Sequence, residues 1–143
     1  MQRLLQTAAD ERSAGVCAVA AVFALTAMGA AAYAALLATG RIPFISAAWL
    51  VSGDVARMGP AAMLAFAAVH TIAAWGLFRF RRWGRWFALA LLGWGFVQEI
   101  PTISMAVADG RIVGTMRSGA LIIARVVLVW YLSQDEVRES FSK

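Results

Sequence analysis

Four long runs of Ala, Leu, Val, Ile, Phe, Gly and Met succeed one another along the chain, separated by shorter segments that gather most of the charges. A helix that crosses a bilayer needs about 20 mostly apolar residues, because each residue adds about 1.5 Å of rise. The pattern predicts four such helices, at about residues 14–39, 58–78, 86–107 and 112–132. Short connections between them imply antiparallel neighbours. The expected fold is therefore an all-α membrane protein, a single four-helix transmembrane domain over residues 1–143 in an up-down bundle. The first run is read as a retained span. It far exceeds the roughly 7–15 apolar residues of a signal core, and Asp10 and Glu11 stand just before it.

The connections carry their own signals. Residues 40–59, GRIPFISAAWLVSGDVARMG, are too apolar for a solvated loop and too broken to span. They read as an interfacial segment between helices 1 and 2, with Trp49 at headgroup depth. Asp54 is the expected cap of the next helix, and Pro60 is expected in its first turn, where a missing N–H does no harm. Pro101 should bend the third span. Trp130 and Tyr131 make an interfacial pair at the end of the fourth, and the polar tail SQDEVRESFSK is expected to continue that helix outward. In span one, Ala27, Ala31 and Ala35 recur every four residues, with Ala24, Ala34 and Ala38 near the same face. Small residues let a second helix come close, because packing drives association in lipid. This face is assigned to the protein's own bundle ahead of a partner chain.

Composition agrees with the pattern. Hydrophobic residues make up 62% of the chain and charged residues 15%, against about 45–50% apolar in soluble domains, and mean hydropathy is +0.72. The most diagnostic charged segment is RFRRWGRWF, where Arg79, Arg81, Arg82 and Arg85 alternate with Phe80, Trp83, Trp86 and Phe87. It reads as a cytoplasmic hairpin between spans two and three whose arginines can also grip anionic lipid headgroups. With both termini inside, the inner side holds Arg3, Arg12, Arg79, Arg81, Arg82, Arg85, Arg138 and Lys143, and the outer side only Arg41, Arg57, Arg111 and Arg117. That bias predicts N-in/C-in. The basic charge is thereby assigned to topology, and no nucleic-acid partner is expected. Cys17 is the only cysteine, so an internal disulfide is excluded and an inert, partly buried thiol is expected.

Ionisable groups at hydrocarbon depth are costly and are the default functional candidates. Four stand out: His70, Glu99, Arg117 and Arg125. Counted from the inner ends at about 1.5 Å per residue, His70 and Arg125 lie roughly 10–12 Å deep, and Glu99 and Arg117 roughly 20–22 Å. A Glu99–Arg117 ion pair is the first expectation. Arg117 and Arg125 face one polar seam, with Glu99 reaching either through water and Gly95 and Thr102 extending its face. A snorkelling Arg125 and an interfacial Arg117 are the plainer alternatives. His70 reads first as a hydrogen-bonded core residue. As a lone histidine it is also a candidate axial ligand for a tetrapyrrole or metal, although bis-histidine haem within the chain is excluded. Met58, Met63, Met105 and Met116 read as packing. No nucleophile–base pair, phosphate loop or metal cluster is present, so no enzyme activity, cofactor or metal is expected.

The segments RRWGRWFALALL and VWYLSQDEVRESF resemble those of small four-span bacterial inner-membrane proteins of uncharacterised function. The resemblance covers the second half of the chain and implies a multi-pass protein of the bacterial inner (cytoplasmic) membrane, without transferring any functional residue. The leading expectation is a non-enzymatic membrane subunit or interaction protein that packs in the lipid bilayer as a homo-oligomer or against other membrane subunits. A binder or carrier of a lipid or small hydrophobic ligand, using His70, Glu99 and Arg125, is the second. A pigment- or haem-associated subunit through His70 is the third.

Overall fold

A computed structural model describes residues 2–40, 59–110 and 112–141, with residues 2–13 as backbone only. Among the described residues all regular structure is helical: α1 Gln2–Ala38, α2 Pro60–Phe78, α3 Arg82–Ala108, α4 Ile112–Ser133 and the short α5 Asp135–Ser140. Four segments are long and apolar enough to cross a membrane: Ala14–Ala38, Pro60–Phe78, Arg82–Ala108 and Ile112–Ser133. The chain is thus a multi-pass membrane protein by helix length and composition. Residues 41–58, with Trp49, Asp54 and Met58, and Arg111 lie outside the described residues. The cap position of α2 is Gly59, at φ 94° and without a side-chain cap, and Pro60 opens the helix as expected.

α1 and α2 share the most extensive helix contact, followed by α3 with α4 and then α2 with α3. The buried stripe of α1 is Val16, Val19, Ala20, Phe23, Ala27, Ala30, Tyr33 and Ala34. Its alternating steps of three and four differ from the four-residue alanine ladder of the sequence reading, of which Ala27 is buried and Ala31 half-buried while Ala35 and Ala38 are exposed. The reason is geometric. A step of four residues advances about 400°, so a strict four-residue ladder rotates away from its partner by about 40° per step. Alternating threes and fours keep the seam facing α2.

The turn between α2 and α3 shows why the arginine-rich segment is tight. Phe80 N–H donates to the Leu77 carbonyl and Arg81 N–H to the Gly76 carbonyl, closing α2 through a left-handed residue that is usually glycine. Here that residue is Phe80, at φ 48°. Its ring packs against Phe141, 5.8 Å between centroids, and this contact offsets the backbone cost of about 1–2 kcal/mol. Gly76 and Gly84 then meet backbone to backbone. A Cβ on Gly84 would lie 2.3 Å from the Gly76 carbonyl carbon.

The tail does not extend α4 as the sequence reading expected. Helix geometry breaks at Gln134, which is extended (φ −60°, ψ 138°), and α5 turns back against α1 and α4. The cause is an apolar pair four residues apart, Val137 and Phe141, which are buried to 1% and 3% exposure. They join a core at the hairpin end built from Val16, Val19, Ala20, Phe23, Ala73, Ala74, Leu77, Ala88, Leu92 and Leu132, drawn from all four long helices. A second cluster, Ala30, Tyr33, Ala34, Met63 and Ala67, belongs to α1 and α2 alone.

Candidate functional site: a buried ion pair between α3 and α4

The less exposed positions of α3 include Ala88, Leu92, Gly95, Glu99 and Ala106, spaced mostly by threes and fours, and of these Gly95 and Glu99 meet Arg125 of α4. On α4, Ser118, Arg125 and Leu132 recur every seven residues and so share one helix face. Arg125 Nη1 lies 3.3 Å from Glu99 Oε1, with the side chains 19% and 1% exposed. The same Nη1 donates to the Gly95 carbonyl. Gly95 leaves room for the guanidinium against the backbone of α3, since a Cβ there would stand 3.0 Å from Arg125 Cζ and Nε and the guanidinium would have to shift by a few tenths of an ångström.

Residue count alone puts Glu99 level with Arg117. The arginine found against Glu99 is Arg125, whose Cα by the same count sits about 10 Å nearer the hairpin end. Side-chain direction accounts for the difference, because side chains on a helix lean toward its N-terminus. Glu99 therefore leans toward the start of α3, and Arg125 toward the start of α4. The two span the gap together. Arg125 is therefore ion-paired within the seam, which the snorkelling alternative did not foresee. Arg117 is half-buried one residue before Ser118.

Glu99 Oε2 and Ser118 Oγ are buried without a hydrogen-bond partner, as is Tyr33 Oη in the second cluster. Buried oxygens of this kind call for an explanation, such as a water or a bound donor. Ser118 escaped the sequence reading, although its place seven residues before Arg125 put it on the same helix face. Pro101, two residues after Glu99, withholds an N–H from the Val97 carbonyl, while α3 runs on to Ala108. Thr102 donates its hydroxyl back to the Gln98 carbonyl of its own helix, 3.3 Å, rather than to the ion pair.

His70 stands where its plainer reading put it. Nδ1 is 2.9 Å from the Phe66 carbonyl and therefore carries the donated proton. The ring stacks 4.0 Å from Phe66 and 5.6 Å from Phe23. Among the described residues no group of three or more His, Cys, Asp or Glu gathers at one point.

The hairpin arginines separate into two sets. Arg79 stacks over Trp75, with Cζ 4.7 Å from the ring centroid, and Arg81 is the exposed cap position of α3. Arg82 and Arg85 instead line a cleft with Trp86, Arg138 and Phe141. The sequence signal for Arg138 is the buried Val137/Phe141 pair around it, which folds the tail back and brings Arg138 to the cleft. Cys17 is a half-buried thiol. No family model, curated protein or solved structure matches the chain.

Proposed function

We propose that the chain is a non-enzymatic, multi-pass subunit of the bacterial inner membrane, arranged up and down with both termini in the cytoplasm, that packs against itself or against other membrane proteins. One observation carries this reading: burial falls off across the helices. The apolar windows of α1 and α2 are 33% buried within the chain, that of α3 17%, and that of α4 only 6%. α4 commits one face to α3 and leaves Ile112, Val113, Met116, Ile123, Val126, Val127 and Trp130 on its outside. Gly93 on α3 and Gly119 on α4 look onto open space, the residue type that allows close helix approach in lipid. The ion pair supports the same reading, because it locks α3 to α4 and turns their charges away from the outer surface.

Native mass spectrometry of the gently extracted full chain tests it. A homo-oligomer or a copurifying membrane subunit is expected, and Gly119→Trp should release it without unfolding the protomer. A lone monomer under those conditions would sink the proposal. A C-terminal reporter that fluoresces only in the cytoplasm tests the orientation.

A second reading has its own support. Glu99 Oε2 and Ser118 Oγ offer two buried acceptors without protein donors, as a binder of a small ligand or lipid within the bundle would. The same spectra should then show a non-peptide adduct that Glu99→Gln loses. The haem or pigment reading rests on His70 alone, and an absorption spectrum of the purified protein decides it.

A further inference from the structure

Two of the four hairpin arginines stand apart from the tail. Arg79 ends α2 and Arg81 is the cap position of α3, and both are exposed. Phe80, between them, turns the other way, with its ring on that of Phe141. We propose that Arg79 and Arg81, flanked by Trp75 and Trp83, form a docking edge for the anionic headgroups of the lipid leaflet on the hairpin side. This edge is independent of the subunit reading, because a monomer and an oligomer present it alike.

The edge is held by backbone. Arg79 N–H donates to the Trp75 carbonyl and Arg81 N–H to the Gly76 carbonyl, each at 3.0 Å, so both arginines are pinned to the last turn of α2. The Trp83 indole crosses from α3 onto α2, where a Cβ on Gly76 would stand 2.9 Å from it. Trp75 and Trp83 nevertheless stay 59% and 45% exposed. Tryptophan prefers the boundary between hydrocarbon and headgroups, so this pair sets the edge at the level of the lipid phosphates.

Charge and donor geometry select what meets it. The Arg79 guanidinium stacks on Trp75, with Cζ 4.7 Å from the ring centroid. Stacking occupies the flat face of the group and leaves its in-plane N–H donors for an oxyanion. Among the described residues neither Arg79 nor Arg81 takes part in an ion pair. The described carboxylates of this end, Asp135, Glu136 and Glu139, all lie on α5 with Arg138. Set against Arg79, Arg81, Arg82, Arg85 and Arg138, these three carboxylates leave two positive charges over. A guanidinium can give a phosphate two parallel N–H bonds, and an anionic leaflet adds a field that draws in each cation at its surface. A zwitterionic headgroup offers the phosphate without that field, so the edge discriminates between lipids by net charge.

The test uses the purified full chain in detergent micelles doped with equal amounts of phosphatidylglycerol and phosphatidylcholine, with retained lipid read by native mass spectrometry. Wild type is expected to retain phosphatidylglycerol in preference. R79Q and R81Q should each lower that preference about fivefold, the effect of one arginine at an anionic surface, and the double variant should lower it by the product. R138Q removes the same charge from the same end but away from the edge, and should stay within about twofold of wild type, because screening weakens the more distant charge. Melting temperatures close to wild type in all variants exclude unfolding as the cause. Equal preference in wild type and the double variant overturns the proposal. So does an equal loss in R138Q, which would assign the selectivity to the overall charge of this end. A copurifying acidic protein that the double variant releases, with lipid preference kept, would give the edge to a protein and overturn it as well.

Discussion

Arg125 Nη1 and Glu99 Oε1 stand 3.3 Å apart across the α3–α4 seam, each side chain leaning toward its own helix N-terminus to reach the other. Removing one partner of a buried pair leaves the other uncompensated, which costs about 3–5 kcal/mol. Arg125→Leu is expected to lower stability by about 3 kcal/mol, measured by thermal or denaturant unfolding in micelles. Glu99→Leu combined with Arg125→Leu should cost less than the sum of the two single changes, by about 1–3 kcal/mol. Strict additivity would show that the contact does not couple the helices.

Gly95 supplies both the space and the carbonyl for that guanidinium. Gly95→Leu should displace Arg125 and destabilise by about 2 kcal/mol, in the range of overpacked cores. In an Arg125→Leu background the same change should cost much less, because the group it collides with has gone. An unchanged cost would mean that Gly95 matters for another reason.

Two helical glycines should respond with opposite signs to the same substitution. A Cβ on Gly84 meets Gly76 backbone at 2.3 Å, and backbone cannot swing aside, so Gly84→Ala should open the hairpin and cost about 2 kcal/mol. A Cβ on Gly29 meets nothing within 4 Å, so Gly29→Ala should raise stability by about 0.5–1 kcal/mol through helix propensity. Melting temperatures of the two variants side by side check both.

Phe80 keeps a left-handed backbone because its ring packs on Phe141. Phe141→Ala should cost about 3 kcal/mol from a large buried aromatic and release α5, raising proteolysis of the tail. Phe80→Gly relaxes the backbone and loses the ring contact, so its net cost should be smaller. A larger loss for Phe80→Gly than for Phe141→Ala would contradict this account of the turn.

Much of the molecule was legible in the chain. Length and hydropathy sufficed for four spans, since a bilayer sets a minimum apolar run that no tertiary detail alters. Arginine and tryptophan at residues 79–86 sufficed for a tight turn, and Pro60 for a helix start. Glu99, Arg125 and His70 were recognisable as residues that need partners in hydrocarbon. Which partner each found was decided only by tertiary structure. Arg125 rather than Arg117 stands against Glu99 because each side chain leans toward its own helix N-terminus, a direction that a count of residues per ångström omits. The buried stripe of α1 follows α2's surface, which no four-residue alanine ladder could track. The tail folds back because Val137 and Phe141 find a core made by all four long helices, and a local pattern of two apolar residues carries no sign of that core. Composition and periodicity determine what a segment must bury; the neighbour that buries it exists only once the helices are packed.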